Sequence, residues 1–260
     1  MKALFKIWKP SLVFHTAAYK HVPLMESNPY EAVKVNIFGT KILADLALQY
    51  HTKKFVFIST DKAANPISVM GMTKRIAETH LNGLNALHKT RFLITRFGNV
   101  LGSNGSLIPV FKHQIETQNM LSVTHKEVTR YFINKERACN LILRIGNIDY
   151  WQYQMFTFDM GDPIKIIDLA KVFMELQGIS PSSDIKINYT GLRPGEKLHE
   201  DMISNTEKLS PTKYDGIWYI LPKQKTEPKV CNLESLQNIK VFQSPLDIKN
   251  MISKFCQENL

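Results

Sequence analysis

Four side chains that could take part in acid–base chemistry follow directly on a short apolar stretch. Residues 55–58 read Phe-Val-Phe-Ile, and residues 59–62 read Ser-Thr-Asp-Lys. The apolar composition predicts a buried parallel strand, and open α/β sheets bind ligands at the carboxyl ends of such strands. Carboxylate, amine and hydroxyl groups are among those that give and accept protons in catalysis. We therefore expect the reactive site of this chain at residues 59–62.

A helix after this stretch should bring two more side chains to the same place. Ser68 is a suitable N-cap, because its hydroxyl can accept a backbone N–H of the first turn. Met70 and Lys74 stand four residues apart, so a helix presents both on one side. One helix face and one strand end are thus predicted to converge.

These segments, with two later ones, resemble the extended short-chain dehydrogenase/reductase family. The later segments are Arg-Phe-Gly-Asn-Val at 96–100 and Gly-Leu-Arg-Pro-Gly-Glu-Lys at 191–197. Within that family they are similar to CapD-like nucleotide-sugar 4,6-dehydratases that act on UDP-N-acetylglucosamine, and the resemblance runs from about residue 10 to about residue 203. It implies an α/β fold: a partial Rossmann-like doubly wound parallel sheet, with its amino-terminal strands missing, and a small substrate-binding lobe.

The resemblance implies catalytic roles for residues 59–62. In such an enzyme a hydride passes from the sugar's C4 to NAD, the C5 proton and the C6 hydroxyl leave, and the hydride returns to C6. Thr60 matches the contact to O4, Asp61 the acid for the departing hydroxyl, and Lys62 the base for C5. Lys62 must release its ammonium proton to act as a base, which burial or the positive charge of Lys74 and the nicotinamide would favour. The alternative is a simple surface ion pair between Asp61 and Lys62.

Met70 departs from the pattern of most of the superfamily. Most members have Tyr there, and its phenol, assisted by the Lys four residues on, removes the C4 hydroxyl proton. A thioether cannot exchange a proton. Some CapD-like dehydratases also carry Met, so the departure is compatible with activity, and we expect Asp61 to take over the displaced proton transfer.

The resemblance also assigns binding residues. Those expected to contact the cofactor are Ala17, Ala18, Ser59 and Lys74. Those expected to contact the substrate are Lys20, His21, Asn99, Arg193 and Glu196. An Arg fork suits phosphate oxygens by geometry, and in the family the carboxylate matched by Glu196 reaches ribose hydroxyls. No metal ligands are expected.

Three of these features have an ordinary structural alternative. The loop at 191–197 could be a solvated surface loop, and the glycine-rich turn at 98–105 could be a simple connection instead of an anion site. Asn36, in a helical pattern over residues 29–50, matches a family Asn that is mostly architectural. We expect Asn36 to be a buried structural hydrogen-bonding group.

The sequence lacks the Gly-x-x-Gly-x-x-Gly turn with which the cofactor-binding half of the family begins. The first predicted strand, at residues 11–18, matches the family's fourth. NAD(P) is therefore expected as the family's cofactor but should bind poorly to this chain alone. We also expect an exposed apolar sheet edge, which favours self-association or pairing with a separate amino-terminal half.

Two functions stay open at this point. The chain could be a carboxyl-terminal portion of a nucleotide-sugar 4,6-dehydratase of polysaccharide biosynthesis, inactive alone or working with a separate amino-terminal half. Alternatively it could be a non-catalytic nucleotide-sugar binding or scaffold protein. A UDP-sugar is the expected ligand in both cases, and whether the chain is itself an enzyme is left open.

Three segments are predicted along the chain. Residues 1–150 should form the truncated NAD(P)-binding domain, residues 151–205 the substrate-binding lobe, and residues 206–260 a carboxyl-terminal extension. The extension holds a Lys- and Pro-containing connector at 222–228 and a helix from about residue 246. No chemistry is predicted there.

Composition bounds the remaining possibilities. The 260 residues are 44% hydrophobic, enough for one substantial core. A net charge of +10 favours anionic ligands, but Lys and Arg are spread along the chain, so nucleic acid is not an expected partner. The three cysteines lie far apart, which favours a reducing cytoplasm. No apolar run reaches the roughly 20 residues of a membrane span, although missing upstream segments could place the chain at the inner face of a membrane.

Overall fold

A six-stranded sheet with helices on its faces forms the centre of the molecule. The structure, a computed structural model, describes residues 1–103, 105–149, 151–179, 185–224 and 230–259. The strands are β1 (Leu12–His15), β2 (Lys54–Ile58), β3 (Arg91–Arg96), β4 (Asn99–Val100), β5 (Met120–Val123), β6 (Thr129–Arg130), β7 (Phe132–Ile133), β8 (Met155–Phe158), β9 (Ile164–Lys165), β10 (Lys186–Tyr189), β11 (Glu207–Pro211) and β12 (Ile217–Pro222). The helices are α1 (Lys2–Trp8), α2 (Val22–Ser27), α3 (Pro29–Ala32), α4 (Thr40–Gln49), α5 (Val69–Leu84), α6 (Leu107–Gln118), α7 (Lys135–Asn147), α8 (Ile166–Leu176), α9 (Glu234–Gln237) and α10 (Pro245–Asn259). A π-helical segment, Val33–Gly39, joins α3 to α4.

The order of strands in the sheet is β1-β2-β3-β8-β12-β11. The first four strands are parallel, whereas β12 and β11 are antiparallel to their neighbours. In the register, His15 lies opposite Phe57, and Ile58 lies opposite Thr95. The carboxyl ends of β1, β2 and β3 therefore meet at one edge of the sheet. The predicted α/β fold with a parallel sheet is confirmed.

Alternating side chains of the central strands form the core on both faces of the sheet. Phe55 and Phe57 pack with residues of α4 and α5, among them Ala44 and Leu81. Val56, between the two phenylalanines, belongs to the cluster that includes residues of α7, because successive strand residues point to opposite faces. Burial of each such side chain stabilises the fold by about 1.5–3 kcal/mol. A strand buried on both faces is continuously apolar, which is why residues 55–58 could be recognised in the sequence.

A buried ion network joins β3, α5 and β11. Arg96 is completely buried, and its guanidinium donates to both carboxylate oxygens of Glu78, at 2.8 and 2.6 Å, and to Glu207 at 2.7 Å. Arg75 also donates to Glu207 at 2.7 Å. Burial by itself would raise the pKa of Glu207, but Arg96 and then Arg75 outweigh it and lower that pKa to about 2. Nothing in the local sequence predicted this network.

The carboxyl-terminal helix is part of the core. Ile248, Ile252 and Phe255 of α10 belong to the same apolar cluster as Met72 and Ile76 of α5. Lys249 of α10 forms an ion pair of 2.7 Å with Glu26 of α2. Strands β8, β11 and β12, all beyond residue 150, continue the sheet of β1–β3. The division into segments at residues 150 and 205 stays a prediction, and part of the connector at 222–228 lies outside the described residues.

The strand β1 lies at the edge of the described sheet, next to exposed apolar side chains. It pairs with β2 on one side. Large apolar side chains of α1, β1 and α4 are exposed: Leu4, Ile7, Trp8, Phe14 and Ile42. Such an edge agrees with the expectation from the sequence. No helix within the described ranges is both long enough and apolar enough to cross a membrane.

Candidate active site

The carboxyl end of β2 turns sharply and buries a carboxylate. The hydroxyl of Thr60 donates to Oδ1 of Asp61 at 2.8 Å. The same oxygen accepts the backbone N–H of Lys62 at 2.9 Å and its Nζ at 3.0 Å. Asp61 is completely buried, so the alternative of a simple surface ion pair is wrong.

The neighbouring strand end contributes Asn99. Its Oδ1 accepts from Nζ of Lys62 at 3.3 Å, and its backbone N–H donates to the carbonyl of Tyr131 at 2.8 Å. Gly98 is required here, because a Cβ atom on it would lie 2.6 Å from that same carbonyl oxygen. The ends of two adjacent parallel strands thus meet at the amine of Lys62.

A second buried carboxyl, which sequence reasoning missed, also faces this amine. Oε1 of Glu200 lies 3.6 Å from Nζ of Lys62 and 4.0 Å from Nε of Arg130. Burial raises the pKa of Glu200, and the negative charge of Asp61 adds to this, whereas Lys62 and Arg130 oppose it. Oδ2 of Asp61 and Oε2 of Glu200 are both buried without a hydrogen-bond partner in the described part of the chain.

The loop at 191–197 lies on the same rim. Nε of Arg193 donates to Oε2 of Glu196 at 3.2 Å, and the other carboxylate oxygen accepts from Arg130 at 3.0 Å and from the hydroxyl of Thr124 at 3.0 Å. Burial raises the pKa of Glu196, but Arg193 and then Arg130 outweigh it, and the net pKa is lowered. The side chain of Arg193 is exposed and is therefore accessible to an anion.

This loop is attached to the segment that precedes α5. Nζ of Lys197 donates to the carbonyl of Ala64 at 3.0 Å. Gly195 has a φ of 75°, and a Cβ atom there would lie 2.7 Å from Oε1 of Glu26 and 2.9 Å from Cβ of Ser68. Only glycine fits both the backbone conformation and the space. The alternative of a solvated surface loop therefore does not hold for residues 195–197, whereas residues 191–194 are exposed.

The amino terminus of α5 packs against the turn that carries Asp61. Ser68 is the N-cap as predicted, since its Oγ accepts the N–H of Gly71 at 3.0 Å. A Cβ atom on Gly71 would lie 2.3 Å from the carbonyl oxygen of Lys62, so glycine allows this close approach. Met70 is buried and belongs to the apolar cluster of α2, α3, α5 and α10.

Lys74 and His15 form a second buried group at the ends of β1 and β2. Nζ of Lys74 donates to the carbonyl of Ile58 at 2.6 Å and lies 3.9 Å from the ring centroid of Phe57. Burial lowers the pKa of Lys74 to about 7. Burial, and then the charge of Lys74, lowers the pKa of His15 to about 4, and the ring nitrogen Nε2 pairs with the hydroxyl of Thr40 at 2.9 Å. At neutral pH the imidazole is therefore uncharged.

The segment after β1 is anchored by Asn36. The side-chain amide of Asn36 accepts from the N–H of Tyr19 at 2.8 Å and donates to its carbonyl at 3.0 Å and to the hydroxyl of Thr73 at 3.0 Å. This is the structural role expected for that residue. Ala17 is exposed and Ala18 is half-buried at the end of β1, on the same edge of the sheet as the Lys74 group.

The predicted sugar-pocket residues after β1 lie at the surface. Lys20 and His21 are exposed, and the ring of His21 lies against the turn at 98–105, where a Cβ atom on Gly105 would be 2.6 Å from Cε1. Asn104 of that turn lies outside the described residues. The roles predicted for individual site residues stay predictions.

The fold and the strand-end site define a Rossmann-like α/β protein of the short-chain dehydrogenase/reductase type. The X-ray structure of Pen from Bacillus thuringiensis matches with a TM-score of 0.73 and 31% identity, over 94% of this chain and 75% of that chain. A Thermus thermophilus UDP-glucose 4-epimerase in complex with NAD matches with a TM-score of 0.67 and 17% identity, over 77% of this chain and 71% of that chain. At the latter identity the likeness is one of fold alone.

The chain belongs to the family of polysaccharide biosynthesis proteins, whose family model matches residues 1–222. Capsular polysaccharide biosynthesis protein CapD of Staphylococcus aureus is 50% identical over 212 residues, which are 81% of this chain and 35% of CapD. A UDP-N-acetylglucosamine 4,6-dehydratase (inverting) of Campylobacter jejuni is 36% identical over 217 residues, which are 82% of this chain and 62% of the relative. The chain thus spans about a third of CapD and less than two thirds of the dehydratase. The predicted resemblance is confirmed.

Proposed function

We propose that this chain supplies the sugar side of a nucleotide-sugar 4,6-dehydratase that acts on UDP-N-acetylglucosamine in polysaccharide biosynthesis. The observation that carries the proposal is the pair of buried Asp61 and partly exposed Lys62, together with the exposed guanidinium of Arg193. Ion pairs through Glu196, Arg130 and Glu200 connect Arg193 to Lys62. An acid and an amine beside a phosphate-binding cation are what proton transfer on a nucleotide sugar requires.

Each side chain of the site has a distinct task in this proposal. The hydroxyl of Thr60 binds O4 of the sugar. Asp61 holds the proton that accompanies the departing C6 hydroxyl, and its unpartnered Oδ2 is free to do so. Lys62 accepts the C5 proton, and Arg193 binds the diphosphate. Met70, packed in the apolar cluster, takes no part in proton transfer.

The residues that would meet NAD(P) are Ala17, Ala18, Ser59 and Lys74. Two observations support a fit on the nicotinamide side: the hydroxyl of Ser59 is buried without a hydrogen-bond partner in the described part of the chain, and Lys74 is buried nearby at the end of β2. NAD(P), when bound, supplies the oxidation and later reduction of the sugar. The uncharged imidazole of His15 and the small alanines leave this side open to a flat ring. No glycine-rich turn for the pyrophosphate occurs in the sequence.

A further polypeptide segment would complete the sheet along β1. The position of β1 at the edge, the exposure of Trp8 and Ile7 at 76% and 70%, and the greater length of the relatives support this part of the proposal. A cofactor-binding half would supply the missing strands, and self-association is the alternative.

Cys139, Cys231 and Cys256 are free thiols. Free thiols are usual in proteins of the reducing cytoplasm, which is the location we propose.

Binding by a non-catalytic nucleotide-sugar protein is the second candidate function. It would rest on the exposed guanidinium of Arg193, which can bind a diphosphate whether or not a reaction follows. In that case the site would bind the nucleotide sugar and catalyse no reaction.

Isothermal titration of the chain with UDP-N-acetylglucosamine, with and without NAD, tests the proposal. We expect the UDP-sugar to bind, and Arg193→Ala to weaken binding about 10- to 100-fold, because charged hydrogen bonds contribute about 1.5–3 kcal/mol. Addition of a cofactor-binding half should then yield a 4-keto sugar. Binding without any product under that condition would favour the second candidate. No binding of the UDP-sugar in either condition would refute both.

A further inference from the structure

Two buried carboxyls share one amine at the end of β2. Nζ of Lys62 lies 3.0 Å from Oδ1 of Asp61, within hydrogen-bonding distance, and 3.6 Å from Oε1 of Glu200, just beyond it. The side chain of Glu200 is only 3% exposed. Oδ1 of the first carboxyl accepts three hydrogen bonds, whereas the contact of the second with the amine, among the described residues, is one of charge attraction.

The surroundings of Glu200 make its charged form costly. Its Oε2 has no hydrogen-bond partner in the described ranges, and Arg130 approaches Oε1 only to 4.0 Å. The guanidinium of Arg130 instead donates to Glu196, to the carbonyl of Leu198 and to that of Lys197. A buried carboxylate without donors tends to take up a proton.

We propose that Glu200 is a positioning residue of the Asp61–Lys62 site, which holds the amine of Lys62 in place and exchanges a proton with it. This inference rests on the proposed function only for the identity of the substrate whose proton Lys62 would accept. Transfer of a proton from the Lys62 ammonium to the Glu200 carboxylate leaves a neutral amine and a neutral carboxylic acid. The total charge is unchanged, and no proton enters from bulk water.

This exchange supplies what the base role of Lys62 needs. The neutral amine accepts the C5 proton and becomes an ammonium, and this ammonium passes a proton to Asp61, 3.0 Å away, which has given its own proton to the departing hydroxyl. Lys62 is then a neutral amine again, and Glu200 keeps its proton throughout. Oε1 of Glu200 lies 3.6 Å from the amine, and its Oε2 has no partner in the described ranges. Burial therefore favours the neutral acid form of Glu200.

Nearby carboxyls do not offer the same property. Glu196 accepts hydrogen bonds from Arg193, Arg130 and Thr124, which keep it ionised. Asp201 is about half exposed and pairs with Lys197. Asp61 is buried too and has an unpartnered oxygen, but its other oxygen accepts three hydrogen bonds, whereas Oε1 of Glu200 meets the amine only at 3.6 Å.

The test is an NMR titration of the full chain labelled with [13Cδ]glutamate, in which the Glu200 signal is assigned by its loss in Glu200→Gln. The groups that face Glu200 are Lys62, Asp61, Arg130 and Lys197. We expect Glu200 to titrate above an ordinary glutamate. Lys62→Met should raise its midpoint by about one to three pH units, and Asp61→Asn should lower it. Lys249→Met, which removes the partner of Glu26, is the matched control and should leave the midpoint unchanged.

Two results would overturn the inference. One is a Glu200 midpoint that matches exposed glutamates, and the other is a midpoint that stays within a few tenths of a pH unit in Lys62→Met. If Asp61→Asn fails to fold, the Lys62→Met comparison still decides. The titration needs no ligand, so it can be read even if UDP-N-acetylglucosamine does not bind. Where the sugar does bind, Glu200→Gln should leave its affinity within about threefold, unlike Arg193→Ala, because a positioning residue does not hold the diphosphate.

Discussion

Neutralising Glu207 should destabilise the whole fold, although this residue lies outside the candidate site. In the folded chain the pKa of Glu207 is about 2, against an ordinary 4.5, a difference worth about 3 kcal/mol of unfolding free energy. Glu207→Gln removes the charge that Arg96 and Arg75 contact at 2.7 Å. We therefore expect the unfolding free energy at pH 7 to fall by about 3 kcal/mol, which agrees with the cost of breaking a buried ion pair.

The pH dependence follows from the same pKa. Because the folded pKa of Glu207 lies below the unfolded one, its contribution is fully present above pH 4.5 and is lost as the pH falls from 4.5 through about 2. The Glu207→Gln variant should lack this part of the acid destabilisation.

Urea denaturation followed by the fluorescence of buried Trp151, which packs against Phe156 and Tyr219, measures the loss at several pH values. The matched control is Glu258→Gln, since Glu258 forms an exposed pair with Lys254 and should cost less than about 1 kcal/mol. A loss for Glu207→Gln no larger than that of the control would refute the reasoning.

Three further predictions concern the site. The pKa of Lys74 is about 7 in the folded chain, and its ordinary value is 10.5. Unfolding between these pH values therefore takes up a proton, and the unfolding free energy should rise with pH across that window. Lys74→Met should abolish this rise, as measured by chemical denaturation at several pH values. Gly71→Ala would place a Cβ atom 2.3 Å from the Lys62 carbonyl oxygen and should lower the unfolding free energy by about 1–3 kcal/mol. Gly39→Ala is the control and should be tolerated, because the nearest atom to its Cβ would be 3.8 Å away. Equal thermal stability of the two variants would contradict the packing argument. Asp61→Asn should abolish 4-keto sugar formation in the enzyme completed by a cofactor-binding half, while Met70→Tyr keeps the fold; unchanged turnover in Asp61→Asn would remove Asp61 from the mechanism.

Several features of the site could be predicted because they depend on neighbouring residues. The apolar run at 55–58 forms a strand buried on both faces, and Ser68 caps α5 through a residue three positions away. The topology of parallel sheets then brings Asp61, Lys62 and Asn99 to one edge, since adjacent strands end together. The resemblance added the loop of Arg193 to the same site.

Other features were decided only by the tertiary structure. Glu200 meets Lys62 across 138 positions of chain, and Glu207 meets Arg96 across 111. Charged residues are usually solvated, so their burial cannot be inferred until the elements that exclude water from them are in place. The sequence by itself determined the strand at 55–58, the cap and the order of the reactive groups, because those follow from local composition and hydrogen bonding. The strands β11 and β12, in the predicted extension, were not foreseen. Which carboxyls become buried, and beside which cations, depends on long-range packing.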